Sequence, residues 1–180
     1  MKNNKYISVI IPTPEIESLI QEYRFKYDFF AKRGIPSHIT FIYEISTDVY
    51  NKNSELLLKA FTQILNILNK STICAEKIKK NENMLAINFR KEDINLINKL
   101  QKIIIGQCGL NITDNRYEKN DYKPHITIFT GKKNLGWKNE KIIKNDILND
   151  LPIKITIKTL WILEINTSNN TAKIIKTIRI

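Results

Sequence analysis

Ser37-His38-Ile39-Thr40-Phe41-Ile42 and Pro124-His125-Ile126-Thr127-Ile128-Phe129 are two versions of one stretch. The chain has 2 histidines in 180 residues, and both lie here. Each is followed two positions later by threonine, inside a β-branched and aromatic run that predicts a strand. Side chains alternate faces along a strand, so His38 and Thr40 share one face, and His125 and Thr127 share another. Ile39, Phe41, Ile126 and Ile128 point the opposite way and supply an apolar face for a core. Two such polar faces brought together would hold two proton-transfer groups and two hydroxyl donors. A lone histidine on a strand is usually structural. The repeat of the whole frame, threonine included, is what argues for a site.

Outward from these copies, 6–11 reads as a buried strand stopped by Pro12. Thr13 is the expected N-cap of a helix with Pro14 at its first position and Glu15 and Glu17 at its positive end. Thr47-Asp48 or Ser54 should cap a second helix, with Leu57, Ala60, Phe61, Ile64, Leu65 and Leu68 as its buried stripe. Strands are predicted over 72–78 and 84–89, joined by a polar turn over 79–83. A third helix starts at Lys91 and is stopped by Gly106 or Gly109. A polar loop over 111–123 leads to the second His-x-Thr strand. A short helix over 139–148 follows, and 153–165 and 172–180 are predicted to close the chain as a hairpin. Strand, helix, His-x-Thr strand and helix thus occur in each half. That order suggests two pseudo-equivalent lobes sharing one core, a single domain over 1–180.

Composition limits the partners. Lys and Arg number 29 against 18 Asp and Glu, a formal charge of +11. Such a surface favours polyanions such as RNA or phosphorylated ligands. The abundance of Lys, Asn and Ile also fits an AT-rich genome, which would make much of the charge plain solvated surface. Cys74 and Cys108 form neither a disulfide framework nor a metal-ligand spacing. The apolar run 6–12 is too short for a signal peptide, and nothing approaches a membrane span. A cytoplasmic monomer is expected, with no membrane partner.

A pair of imidazoles facing one phosphodiester suits general acid–base catalysis, because an ordinary histidine titrates near neutral pH. The threonine hydroxyls can donate to non-bridging phosphate oxygens as charge builds there. Zinc would want a third protein ligand, and neither frame offers an Asp, Glu or Cys. No metal and no cofactor are therefore expected. There is no nucleophile elbow, no Walker loop and no glycine-rich nucleotide fingerprint.

His38-Ile39-Thr40 and His125-Ile126-Thr127 resemble the paired motifs of the 2H (two-histidine) phosphoesterase superfamily, nearest its 2′-5′ RNA ligase and RNA 2′,3′-cyclic phosphodiesterase branch. Tyr122-Lys123-Pro124-His125 is similar to the aromatic-x-Pro-His lead-in common there. Ser37 departs from it, standing where a second proline often precedes the histidine. The resemblance covers nearly the whole chain. It implies a bilobal α+β fold, LigT-like, with two antiparallel sheets lining a central cleft and helices outside. It also implies metal-independent hydrolysis of a cyclic or 2′-5′-linked phosphoester of a nucleotide or short RNA oligonucleotide. The catalytic residues would be His38, His125, Thr40 and Thr127.

Further substrate contacts are expected from residues near the motifs. Tyr43, if the strand stays regular, falls on the face opposite His38. Tyr122 and Trp161 are candidates for stacking on a base. Lys123, Lys132, Arg116 and Arg33 are candidates for a phosphate tail. Two other readings compete. One is a non-catalytic RNA or oligonucleotide-binding module, and the other a 2′-5′ RNA end ligase.

Overall fold

In the computed structural model, which describes residues 5–28, 30–81, 83–110, 122–131 and 133–180, the histidine strands are the two middle strands of a sheet. The order along the chain is β1 (Lys5–Pro12), α1 (Pro14–Tyr27), β2 (His38–Ser46), α2 (Thr47–Lys52), α3 (Ser54–Leu68), β3 (Thr72–Asn81), β4 (Met84–Phe89), α4 (Lys91–Gln107), β5 (His125–Thr130), α5 (Glu140–Leu148), β6 (Ile153–Thr156), β7 (Thr159–Asn166) and β8 (Thr171–Arg179). Single 3₁₀ turns occupy Ala31–Arg33 and Leu135–Asn139. The fold is mixed α+β. Eight strands pair in the order β6-β3-β4-β5-β2-β1-β7-β8, each with its neighbours antiparallel.

The pairing is uneven. β1 and β2 are aligned from Tyr6↔Ser46 to Pro12↔His38. β2 and β5 meet at the single pair Ile39↔Ile126. Two half-sheets, β6-β3-β4-β5 and β2-β1-β7-β8, are therefore joined by one narrow seam, where two separate sheets were expected. Helices α3 and α4 contact β7, β8 and β2, while α1 and α5 contact β5, β6 and β3.

The main core lies under the seam. Ile39, Phe41, Ile126 and Ile128 are fully buried there with Leu57, Phe61, Ile97 and Ile104 from α3 and α4. The predicted stripe of the 54–68 helix is buried as expected. A smaller cluster of Ile10, Ile35, Leu163 and Ile165 gathers Tyr6, Phe30 and Trp161 around it. These β1 and β7 residues share the histidine face, because Ile10 stands opposite Thr40 and Trp161 opposite Ile10.

Several boundaries differ from the sequence expectation, each for a local reason. The Thr13 side chain makes no capping bond to α1. Its hydroxyl is instead 3.0 Å from the Ser37 hydroxyl, so the helix start is tied to the residue before His38. Two helices replace the single one expected after β2. Ser46 caps α2 by accepting from the Val49 N–H at 3.2 Å, and α3 starts afresh after Asn53. Lys79 and Lys80 belong to β3 and pair with Ala86 and Leu85, so the turn after them is shorter than composition suggested. Gly106 lies inside α4, and Gly109, at φ 56°, follows the helix end. The run 153–165 is two strands in different half-sheets. β6 pairs with β3, and β7 pairs with β1 and β8. Apolar periodicity cannot distinguish one long strand from two that diverge at a short break.

Phe129 on β5 anchors the 3₁₀ turn and α1. Its ring stands edge-on to Trp137 at 4.8 Å and to Tyr27 at 6.1 Å. Gly136 lies against this ring, and a Cβ there would be 2.8 Å from it. Gly136→Ala should therefore destabilise the protein by roughly 1–3 kcal/mol through overpacking. Urea denaturation measures this, and an unchanged midpoint would show that the turn yields freely.

Candidate active site

The seam fixes the site. An antiparallel register through Ile39↔Ile126 brings His38 beside Thr127 and Thr40 beside His125. Each imidazole thus neighbours the threonine of the other copy as well as its own. The rows continue across the sheet. His125 pairs with Asn88 and Asn88 with Lys77, while Thr127 pairs with Ala86 and Ala86 with Lys79.

Both rings are held in the same way. His38 Nδ1 lies 2.8 Å from the Pro36 carbonyl, and His125 Nδ1 lies 2.8 Å from the Lys123 carbonyl. A carbonyl oxygen can only accept, so each Nδ1 carries a hydrogen and donates it. In a neutral ring that leaves Nε2 with the lone pair, and in a charged ring Nε2 carries the transferable proton. The threonines are lightly engaged. The Thr127 hydroxyl has a methionine sulfur, Met84 Sδ, at 3.9 Å, a weak acceptor. Both threonines are half-buried.

The surroundings of His38 are uneven. Burial drives its imidazole down from the ordinary 6.5 to about 4, with the nearby Arg24 guanidinium and His125 pushing the same way. The Pro36 carbonyl and Asp28 oppose this. His38 is therefore neutral at pH 7, with its Nε2 lone pair available.

A cavity of about 100 Å³ opens beside it, lined by His38, Thr40 and Thr127 together with Tyr6, Tyr43 and Arg24. Tyr43 was expected on the far face, and β2 corrects that. Ile10 pairs with Thr40 but Val9 with Ile42, so β2 has one residue more than β1 in this interval. A second irregularity lies between Val9 and Ile7, near Glu44 at φ 61°. Such bulges re-aim the side chains that follow, and Tyr43 reaches the histidine side. There it accepts from the Tyr6 hydroxyl at 3.2 Å. Burial raises the Tyr6 phenol, which stays protonated.

Arg24 was not foreseen. It is 1% exposed and binds Asp28 Oδ2 through Nη2 at 2.7 Å and Nε at 3.2 Å. Nη1 makes no hydrogen bond and stands 3.5 Å from Glu17 Oε2. Both carboxylates grip backbone leading to His38. Asp28 accepts from the Ala31 N–H at 3.3 Å, and Glu17 accepts from the Ser37 N–H. The signal was present in the sequence. Arg24 falls at helical spacing after Ile16 and Ile20, all three buried on one face of α1. A charged residue in an apolar stripe implies a buried partner, and Asp28 follows four positions on.

The remaining candidates separate clearly. Tyr122 is buried, and its hydroxyl donates to the Thr40 carbonyl, which ties it to β2. Lys123 is exposed, and the contact it makes to the site is through its carbonyl. Trp161 is half-buried against the Ile10 cluster on the histidine side of the sheet. Arg33 has its guanidinium 5.7 Å from the Phe30 ring. Arg116 and Lys132 lie outside the described residues. Among the described residues, no three His, Cys, Asp or Glu side chains converge as metal ligands. No helix is long and apolar enough to cross a membrane. Neither a family model nor a curated protein matches the sequence.

Two outcomes follow from this geometry. Below 6.5 the unfolded chain binds a proton at His38 that the native chain refuses until about 4. Stability should therefore fall as pH drops through that window and level off below it, by up to about 3 kcal/mol. Imidazole proton NMR and urea midpoints for wild type and His38→Ala read this directly. A histidine titrating normally, or the same pH slope in the variant, would contradict the burial argument. Arg24→Ala should cost roughly 3–5 kcal/mol by stranding the buried Asp28 carboxylate, measured as a loss in urea midpoint.

Proposed function

We propose that the chain is a metal-independent phosphodiesterase of the 2H type, hydrolysing a cyclic or 2′-5′-linked phosphoester of a nucleotide or short oligonucleotide. One observation carries this reading. Two imidazoles share a tautomer, each set by a backbone carbonyl, and each stands beside the other copy's threonine. A binding surface has no need of two matched proton-transfer groups. On this reading the half-sheets on either side of Ile39↔Ile126 are the two lobes of a bilobal fold, and their seam is the floor of the cleft.

Hydrolysis then runs between the rings. His38, neutral at pH 7, takes a proton from water at Nε2 while the water oxygen bonds to phosphorus. The bond from phosphorus to the departing ribose oxygen breaks, and that oxygen takes the Nε2 proton of a charged His125. Thr40 and Thr127 donate to the non-bridging oxygens, where charge grows. The phosphodiester anion beside His38 raises its pKa once bound, so base strength increases in the complex.

The test is a panel of 2′,3′-cyclic nucleotides, 2′-5′ oligonucleotides and cyclic dinucleotides, with EDTA present. Turnover should persist in EDTA. His38→Ala and His125→Ala should each lose on the order of 10²–10⁴ in kcat/KM. The double variant should lose less than the product of the two. The acid limb of kcat/KM should lie near the His38 ionisation, at about 4, and His125→Ala should remove the alkaline limb. Near wild-type turnover by either single variant would end the paired mechanism.

A further inference from the structure

On the side of His125 away from the cavity, the sheet face becomes basic. The row His125–Asn88–Lys77 and the row Thr127–Ala86–Lys79 run in parallel across β5, β4 and β3. Two strand spacings, roughly 10 Å, separate the catalytic strand from the lysines. A groove of about 560 Å³ lies there, lined by Lys77, Lys79, Asn88 and Lys123 and also by the carboxylates of Glu76 and Glu92. Arg90 borders it but is held by Asp93 and Glu92 at 3.0 and 3.3 Å. Among the described residues, Lys77 is paired with the neighbouring Glu76 at 3.4 Å, with both side chains largely exposed, a weak restraint. Among the described residues, neither Lys79 nor Lys123 has a carboxylate partner.

The other side of the seam differs. There the cavity is lined by Tyr6, Tyr43 and Phe30. Its volume of about 100 Å³ is well under the roughly 300–1,000 Å³ of a pocket that encloses a whole small molecule. It can take a phosphate group but no complete nucleoside. The seam thus divides a face with an aromatic cavity backed by the buried Arg24 on one side and exposed lysines on the other, and the larger recess is the one with the lysines.

We infer that the groove of Lys77, Lys79 and Lys123 is a binding track for the phosphate backbone of a single-stranded oligonucleotide, so that the enzyme acts on the end or linkage of a strand in preference to a mononucleotide. This rests on the phosphodiesterase reading for its catalytic consequence but not for binding. Phosphates of a diphosphate tail share an oxygen and stay close to the reacting group. Successive phosphates of a nucleotide strand are spaced by a ribose, and so can reach lysines two strands away. Asn88, between His125 and Lys77, adds an uncharged donor along the row.

The test compares wild type with Lys77→Glu/Lys79→Glu. Both lysines are exposed, and circular dichroism melting verifies the fold. The first arm measures kcat/KM on a 2′,3′-cyclic mononucleotide and on an RNA tetramer ending in the same cyclic phosphate, with 2′-5′ dimer and tetramer alongside. Wild type should prefer each longer substrate by about tenfold or more, and the variant should lose at least tenfold more on the tetramers than on the short substrates. Equal losses, or none, would overturn the track. The second arm measures binding of a fluorescein-labelled, unreactive RNA octamer between 50 and 300 mM salt. Removing two phosphate contacts should flatten the log–log salt slope by about 1.4. An unchanged slope overturns the track even if no cyclic phosphate is hydrolysed. A flattened slope with no turnover of any substrate by wild type supports the track and defeats the phosphodiesterase reading.

Discussion

The pairing of Ile39 with Ile126 is the contact on which the site depends. It is an apolar pair, buried on the helix side, and it does no chemistry. It does fix which residues face outward. A slip of one residue in either strand would turn every polar side chain of that strand into the core. The helices prevent this, because Phe41 and Ile128 must stay buried with α3 and α4. Hydrophobic burial on one face therefore specifies the placement of two imidazoles and two hydroxyls on the other. The narrowness of the seam matters too. With one bridging pair, the half-sheets diverge on either side of it, and the polar groups stand at a hinge between two surfaces of different character.

Pseudo-symmetry is accurate at the rings and fails behind them. Each Nδ1 donates to the carbonyl two residues upstream. Behind His38 are a cavity, a buried arginine and two carboxylates. Beside His125 are Asn88 and, beyond it, exposed lysines. Equivalent tautomers in unequal surroundings are what the proposed acid–base pair would need, with one ring neutral while the other carries the proton. Burial alone is enough to depress the His38 imidazole, and the arginine adds to it.

The parts of this molecule that were legible in its sequence are those governed by local periodicity. The two His-x-Thr strands, the stripe of α3 and the start of α4 follow from alternation, helical spacing and capping. Tyr43 was placed on the wrong face because two irregularities in β2 depend on its pairing with β1, which no local pattern encodes. Tyr122, at the end of a polar loop, was a candidate for stacking on a base. Its hydroxyl instead finds the Thr40 carbonyl across a long sequence separation. The division of 153–165 into β6 and β7 was hidden for the same reason, as the two pieces serve different half-sheets.

Arg24 shows why such departures gather at a site. A guanidinium buried between Asp28 and Glu17 loses its water, and an apolar replacement of all three groups is often no less stable. Apolar side chains would fill α1's buried face but could not accept the N–H groups of Ala31 and Ser37. Those N–H groups lie on either side of Pro36, whose carbonyl sets the His38 tautomer. The carboxylates hold this segment, and the arginine bridges them, with Nη2 and Nε on Asp28 and Nη1 facing Glu17. The order of dependence runs from a buried ion cluster, to a fixed backbone, to one proton on one ring nitrogen. Packing supplies the seam, while only paired charges can supply this orientation at the same depth.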